Sequence, residues 1–264
     1  MTLLTRTLVG LVLAAALALA AHRTRALSAS GAWGALVVGT LAMAAGAAWT
    51  AVLLAFFVSS SLLSRWRRNA KERATGAVVE KGGTRDAWQV AANGGVFAAA
   101  ALGTVLLPHP QWALAGLGAL AGAAADTWAT EIGTAIGGPP RALFGGARVS
   151  PGTSGAVTVA GTLAMVAGAC FVGTVAVLAG FDKEMWGPVV VGGAAGASVD
   201  TLLGATLQER RWCARCDAMT ERAIHDCGTA TSPRRGWRGF DNDVVNLTSC
   251  VAGAAVALLC GRWS

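Results

Sequence analysis

Long apolar runs separated by short polar stretches dominate the chain. The runs cover residues 3–21, 31–63, 89–107, 112–136, 155–180, 188–207 and 244–261. A helix that crosses a bilayer needs about 20 consecutive apolar residues, a length that most of these runs reach. The run 31–63 is too long for one ordinary span. It reads as one long tilted helix or as a hairpin of two short ones, and the hairpin is preferred because it returns the flanking basic stretches to one face. The pattern predicts an all-α polytopic membrane bundle of about seven or eight transmembrane helices. Residues 1–264 then form a single integral-membrane domain. The first run ends in "ALALAA", which resembles a cleavage site, but Arg6 is its only basic residue and more spans follow, so it reads as a retained helix.

The polar stretches are unequal in charge. Residues 64–88 carry Arg65, Arg67, Arg68, Lys71, Arg73, Lys81 and Arg85 against Glu72, Glu80 and Asp86. Residues 137–153 are a Gly/Pro loop with Arg141 and Arg148, and residues 208–243 are a long Arg-rich insertion before the last helix. The turns "PHPQ" and "FDKEMWGP" belong to the other face. Basic loops stay on the cytoplasmic side, so these three loops predict one cytoplasmic face where a soluble anionic cosubstrate is met. The Ala/Gly-rich composition suits the plasma membrane of a bacterium.

Composition narrows the class. The chain is 54% hydrophobic and 13% charged, where a soluble domain carries about 25% charge. Its 35 glycines let helices approach closely, and ten Trp with no Tyr supply an interfacial belt. The net charge of +7 points to anionic lipid headgroups or a phosphorylated ligand. Nucleic acid is excluded as a partner, because no soluble basic domain or aromatic-laced patch occurs.

The stretch "AGAAADTWATEIGTAIG", residues 121–137, places Asp126 and Glu131 inside an apolar run. On an ideal helix with Asp126 at about 0°, Thr130 falls near about 40°, Thr134 near about 80°, Thr127 near about 100° and Glu131 near about 140°. Hydroxyls and carboxylates share one arc, and Trp128, Ala129, Ile132, Gly133, Ala135 and Ile136 take the rest. Intramembrane carboxylates are costly and mark function by default. Two on one arc suggest a cation site; pairing with Arg to lock helices, or an interfacial helix end, is the structural alternative. "GAAADT" (122–127) is echoed by "GASVDT" (196–201), which reads as an internal repeat that places Asp126 and Asp200 alike near the end of a span, or as a chance match in Gly/Ala-rich sequence.

Other segments offer partners. In "KGGTRDAWQVAANGG" (81–95), Arg85, Gln89 and Asn93 share a helical face behind Lys81, a set suited to phosphate. The Gly-rich loop at 137–155, with Arg141, can cradle phosphate through backbone N–H groups, or be an ordinary turn; it has no Walker pattern. "GFDNDVVN" gathers Asp241, Asn242, Asp243 and Asn246 where the insertion enters the last helix. Such a set can bind Mg²⁺, and one member can cap the helix. "CARCDAMTERAIHDC" (213–227) places Cys213, Cys216, His225 and Cys227 at a spacing that a structural Zn²⁺ can use. The remaining thiols, Cys170, Cys250 and Cys260, lie in apolar runs.

"SSSLLSRW", "KGGTRDAWQVAANGG", "DTWATEIG", "PGTSGAVT" and "DNDVVN" occur in that order. Together they resemble the integral-membrane family that contains plant phytyl-phosphate kinase, over about residues 30–260. "DTWATEIG" is also similar to the D-x-x-A-x-x-x-G motif of CTP-dependent dolichol and phytol kinases, through Asp126, Ala129 and Gly133. The resemblance implies transfer of the γ-phosphate of CTP or another nucleoside triphosphate to an isoprenyl monophosphate such as phytyl or geranylgeranyl phosphate. The site positions it carries over are Lys81, Arg85, Gln89, Asn93, Asp126, Glu131, Asp241, Asp243 and Asn246. Asp126, Glu131, Asp241 and Asp243 would hold Mg²⁺, and Lys81, Arg85 and Arg141 would contact phosphate. The alternatives are a cation- or proton-coupled transporter, whose carboxylates should lie near the midplane with access from both sides, and an assembly protein whose polar residues only pair helices.

Overall fold

The computed structural model describes residues 1–76, 78 and 83–262. Among these are nine α-helices: α1 (Leu3–Arg23), α2 (Ala29–Ala45), α3 (Ala47–Arg65), α4 (Arg68–Thr75), α5 (Ala87–Leu106), α6 (Pro110–Ile136), α7 (Val159–Leu178), α8 (Trp186–Thr206) and α9 (Asn242–Cys260). Helices α1, α3, α5, α7, α8 (with the turn before it) and α9 are long and apolar enough to cross a membrane. Helix α2 is apolar but only 17 residues long. Helix α6, at 27 residues, extends about 40 Å. The chain is a polytopic helical membrane protein, as the hydrophobic pattern predicts.

Contacts between helix ends set the direction of each pass. Arg6, at the start of α1, donates to the Ala45 carbonyl at the end of α2 (3.3 Å). Arg65, at the end of α3, donates to Thr24 just after α1 (3.2 Å). Helices α2 and α3 are therefore antiparallel, and the run 31–63 is a hairpin. Its turn is Gly46 alone, at φ +144°, a conformation that only glycine adopts without strain. Arg67 donates to Ala135 at the end of α6 (2.9 Å), and Phe181 after α7 packs on Trp49 at the start of α3. Eight helices thus run alternately between two faces. The segments 22–28, 66–76, 83–86, 137–158 and 207–241 all lie on one of them, called here the basic face. Trp33, Trp66 and Trp88 are exposed near the basic-face ends of their helices, where amphipathic rings mark the lipid–water boundary.

Helix α6 is the axis of the bundle, packed by α3, α5, α7, α8 and α9. Every residue from Ala113 to Ala125 is buried. A helix buried all round must be apolar all round, and here it must also be thin. A Cβ added at Gly116 would lie 2.6 Å from the Trp49 ring, and one at Gly118 would lie 2.7 Å from the Gly253 carbonyl oxygen. This close approach of backbones supplies van der Waals contact where lipid provides no hydrophobic drive.

The basic face carries structure that hydropathy does not predict. Helix α4 lies inside the stretch 64–88. Strands β1 (Arg141–Ala142) and β2 (Ala156–Val157) pair within the Gly/Pro loop. The long insertion folds as a three-stranded antiparallel sheet of β3 (Arg210–Cys213), β4 (Ala218–Thr220) and β5 (Ser232–Arg235), in the order β4-β3-β5.

Candidate functional site

Helices α6 and α8 run in the same direction, and the internal echo is their contact. A Cβ on Gly196 would lie 3.3 Å from the Gly122 Cα. Four residues further along each helix, the same faces present Asp126 and Asp200, whose carboxyl groups lie against one another. Ser249 and Cys250 of α9 complete the surroundings. Asp200 Oδ2 is buried without a hydrogen-bond partner. A buried carboxylate oxygen left unpaired is costly unless a proton or a cation meets it. Two carboxylates with one orphan oxygen fit Mg²⁺, which takes few protein ligands and leaves positions for water and phosphate.

Glu131 stands apart from this pair. It lies five residues beyond Asp126, about 7.5 Å nearer the basic face. It accepts a hydrogen bond from Ser64 (2.5 Å) and forms an ion pair with Lys71 of α4. Lys71 also donates to the carbonyl oxygens of Leu63 (2.7 Å) and Ser64 (3.2 Å), closing the last turn of α3. Glu131 thereby fastens α6 to the α3–α4 elbow.

Ser64 also lines a narrow cleft of about 20 Å³ with Ser61, Arg25, Arg65, Arg68 and Arg85. Arg85 is fixed through its backbone: its N–H donates to Ala26 (3.0 Å) and its carbonyl accepts from Ser28 (2.9 Å). Gly31 allows that approach, since a Cβ there would fall 2.2 Å from the Arg85 carbonyl oxygen. The guanidinium reaches Ser61 at 3.4 Å. Burial lowers its pKa from the usual arginine value, and the nearby charge of Glu131 opposes that shift. Four guanidinium groups, that of Arg68 already paired with Glu72 (2.7 Å), border two hydroxyls here, a set whose chemistry suits an anion.

The remaining expected residues separate. Lys81 lies outside the described residues. Gln89 is spent in a capping box with Asp86 at the start of α5. Asn93 donates to the Gln89 carbonyl (3.0 Å), and its own carbonyl faces the Cys250 thiol at 3.8 Å. Arg141 turns back on its loop to the Gly146 carbonyl (2.9 Å). Asp241 is the N-cap of α9, accepting from the N–H groups of Asp243 (3.0 Å) and Val244 (3.1 Å). Asp243, Asn246, Ser249 and Cys250 form the inward stripe of α9. Asp243 is about 10 Å above Cys250 along the helix and Asn246 about 6 Å, so the stripe runs from the basic face down to the aspartate pair. The structure therefore groups Asp126 with Asp200, and Glu131 with Lys71 and Ser64. It places Asp241 in a cap rather than beside Asp126. The residues the motifs did not single out are Asp200 as a partner, Lys71, and the cleft arginines Arg25, Arg65 and Arg68. The echo was the one signal for Asp200.

In the insertion, Cys213, Cys216, His225 and Cys227 bring their ligand atoms within 4.8 Å of one another.

Fold and site together define a polytopic membrane protein with carboxylates sunk below a basic face. More particularly, the chain belongs to the integral membrane protein family DUF92, whose pattern matches residues 12–254. It is similar to Protein PGR of Arabidopsis thaliana, at 27% identity over 92% of each chain. It is also similar to the uncharacterized membrane protein MJ0933 of Methanocaldococcus jannaschii, at 31% identity over 80% of this chain and 87% of that one. No solved structure matches the chain.

Proposed function

We propose that the protein is a membrane phosphotransferase that moves the γ-phosphate of a nucleoside triphosphate onto an isoprenyl monophosphate, with the basic face cytoplasmic. The observation that carries this reading is the Asp126–Asp200 pair below an arginine-lined cleft on one face. In this reading the donor's bond between the γ-phosphorus and its bridging oxygen breaks and a nucleoside diphosphate leaves. An oxygen of the lipid monophosphate forms the new bond. The acceptor is already an anion, so no general base is needed, and the protein's part is alignment and charge neutralisation. Arg25, Arg65, Arg68 and Arg85 hold phosphate oxygens at the headgroup level, where Trp33, Trp66 and Trp88 mark the boundary. Asp126 and Asp200 would hold Mg²⁺, which when bound neutralises developing phosphate charge. Asn246 and Ser249 would orient ligands around it. The motif resemblance to phytyl-phosphate kinase supports the acceptor class, and the likeness to CTP-dependent lipid kinases makes CTP the first donor to try.

The burial of α6 favours this reading over a transporter. Asp126 lies about 15 Å from the basic-face end of α6 and Asp200 about 9 Å from that of α8. From Ala113 to Ala125 the helix is packed on every side, so the route toward the other face is filled. The test supplies purified protein with Mg²⁺, γ-labelled CTP or ATP, and phytyl, geranylgeranyl and farnesyl monophosphates. Labelled lipid diphosphate supports the assignment. No transfer from either donor to any acceptor overturns it.

A further inference from the structure

We propose that the insertion between α8 and α9 binds one structural zinc ion through Cys213, Cys216, His225 and Cys227, and that this ion clamps the insertion onto Val78, Ser154 and the basic-face end of α8. Cys213 ends β3, and Cys216 lies in the turn to β4. Asp217 in that turn has φ +52°, which bends the chain back sharply. His225 and Cys227 lie in a second tight turn, closed by the His225 N–H to the Thr229 carbonyl (3.0 Å) and the Gly228 N–H to the His225 carbonyl (2.8 Å). The two turns face each other, with Cys213 and Cys227 sulfurs 3.5 Å apart. A disulfide needs about 2.05 Å, whereas two thiolates on one tetrahedral zinc at about 2.3 Å stand about 3.8 Å apart.

Two independent observations point to a metal. His225 is 7% exposed, and neither ring nitrogen has a hydrogen-bond partner. A buried imidazole is costly in that state, and a metal ligand is not. The buried residues of the insertion are Gln208, Cys213, Thr220, His225 and Thr231. No large apolar side chain is among them, so hydrophobic burial does not hold this sheet, and coordination can.

The sheet is tied to its surroundings beyond the cluster. The Glu221 N–H donates to the Val78 carbonyl (2.8 Å), on the stretch that leads to Arg85. Arg210 bonds the carbonyls of Ser154 and Gly204, and Arg235 that of Ala205, near the end of the helix bearing Asp200. Metal loss would free these contacts together.

The test uses full-length protein in detergent, purified reduced, without chelator and without a polyhistidine tag. Elemental analysis should find about one zinc per chain. Co²⁺ exchanged into the site should give the visible absorption of tetrahedral thiolate coordination. Cys216→Ser should lose the metal and become sensitive to limited proteolysis within 208–241, while α1–α9 stay intact. Cys170→Ser, which alters a bundle thiol, should retain it. Wild-type protein without zinc and without a Co²⁺ spectrum overturns the proposal. So does a Cys213–Cys227 disulfide in native protein, or zinc retained at wild-type level in Cys216→Ser. None of these readouts depends on phosphate transfer.

Discussion

Replacing Lys71 by Met isolates what Glu131 does. Lys71 gives three hydrogen bonds: to Glu131 and to the carbonyls of Leu63 and Ser64. The substitution leaves a carboxylate below the basic face and two helix-end carbonyls without their donor. Breaking a fully buried ion pair costs about 3–5 kcal/mol. Here the side chains are 9% and 21% exposed, so the Glu131 carboxylate regains some water and keeps Ser64; about 2–3 kcal/mol is the expected loss. For a chain of this size that lowers the melting midpoint by about 4–12 °C. The assay is thermal unfolding in one detergent at one scan rate, with Lys71→Met, Glu131→Met and the double variant compared. The double variant removes the stranded charge and should recover at least half of the loss, falling short of wild type by the two α3 carbonyls and the Ser64 hydroxyl that lose their partners. A double variant no more stable than Lys71→Met would refute the claim that the stranded Glu131 charge is the cost.

Four further outcomes follow from particular contacts. Gly196→Val puts carbon 2.8 Å from the Ser249 carbonyl oxygen and 3.3 Å from the Gly122 Cα; it should destabilise by about 1–3 kcal/mol. Gly95→Ala, with nothing within 4 Å, should leave the melting midpoint unchanged or raise it. Arg85→Ala should raise the Michaelis constant for the lipid phosphate about 10-fold, the value of one charged hydrogen bond, which initial-rate kinetics will read. Asp241→Asn should be nearly silent in both stability and transfer because Asn also caps helices, while Asp241→Ala should cost about 1 kcal/mol; loss of transfer in the Asn variant alone would make Asp241 a ligand instead.

The parts of the fold visible in the chain are those written in local pattern. Span positions follow from hydropathy, and the hairpin at 31–63 follows from charge on both sides of a run too long for one helix. The polar arc from Asp126 to Glu131 follows from helix periodicity. The cysteine cluster follows from spacing, because a knuckle is a local object. What escaped is tertiary. Periodicity shows that Asp126 and Glu131 share an arc, but not that the first meets α8 and the second meets α4. Lys71 lies on a polar helix of eight residues with no apolar stripe, so nothing in the pattern marks it as buried. Strands of two to four residues rich in Arg carry no alternation to read. Asp241 looked like a ligand because acidic and amide residues cluster there, yet the helix start beside it needs a cap. The Gly-x-x-x-Asp echo placed Asp126 and Asp200 alike near span ends, and the structure adds that α6 and α8 are parallel neighbours, so the two meet.

The most direct test of the central claim is phosphate transfer by Asp126→Asn, Asp200→Asn and the double variant, each shown to be folded by its melting midpoint. Two carboxylates that hold one Mg²⁺ act as a unit. The account predicts that each single substitution lowers the rate by about 100-fold or more, and that the double variant is scarcely worse than either. Near-wild-type transfer by folded Asp200→Asn, or losses that multiply in the double variant, would contradict it.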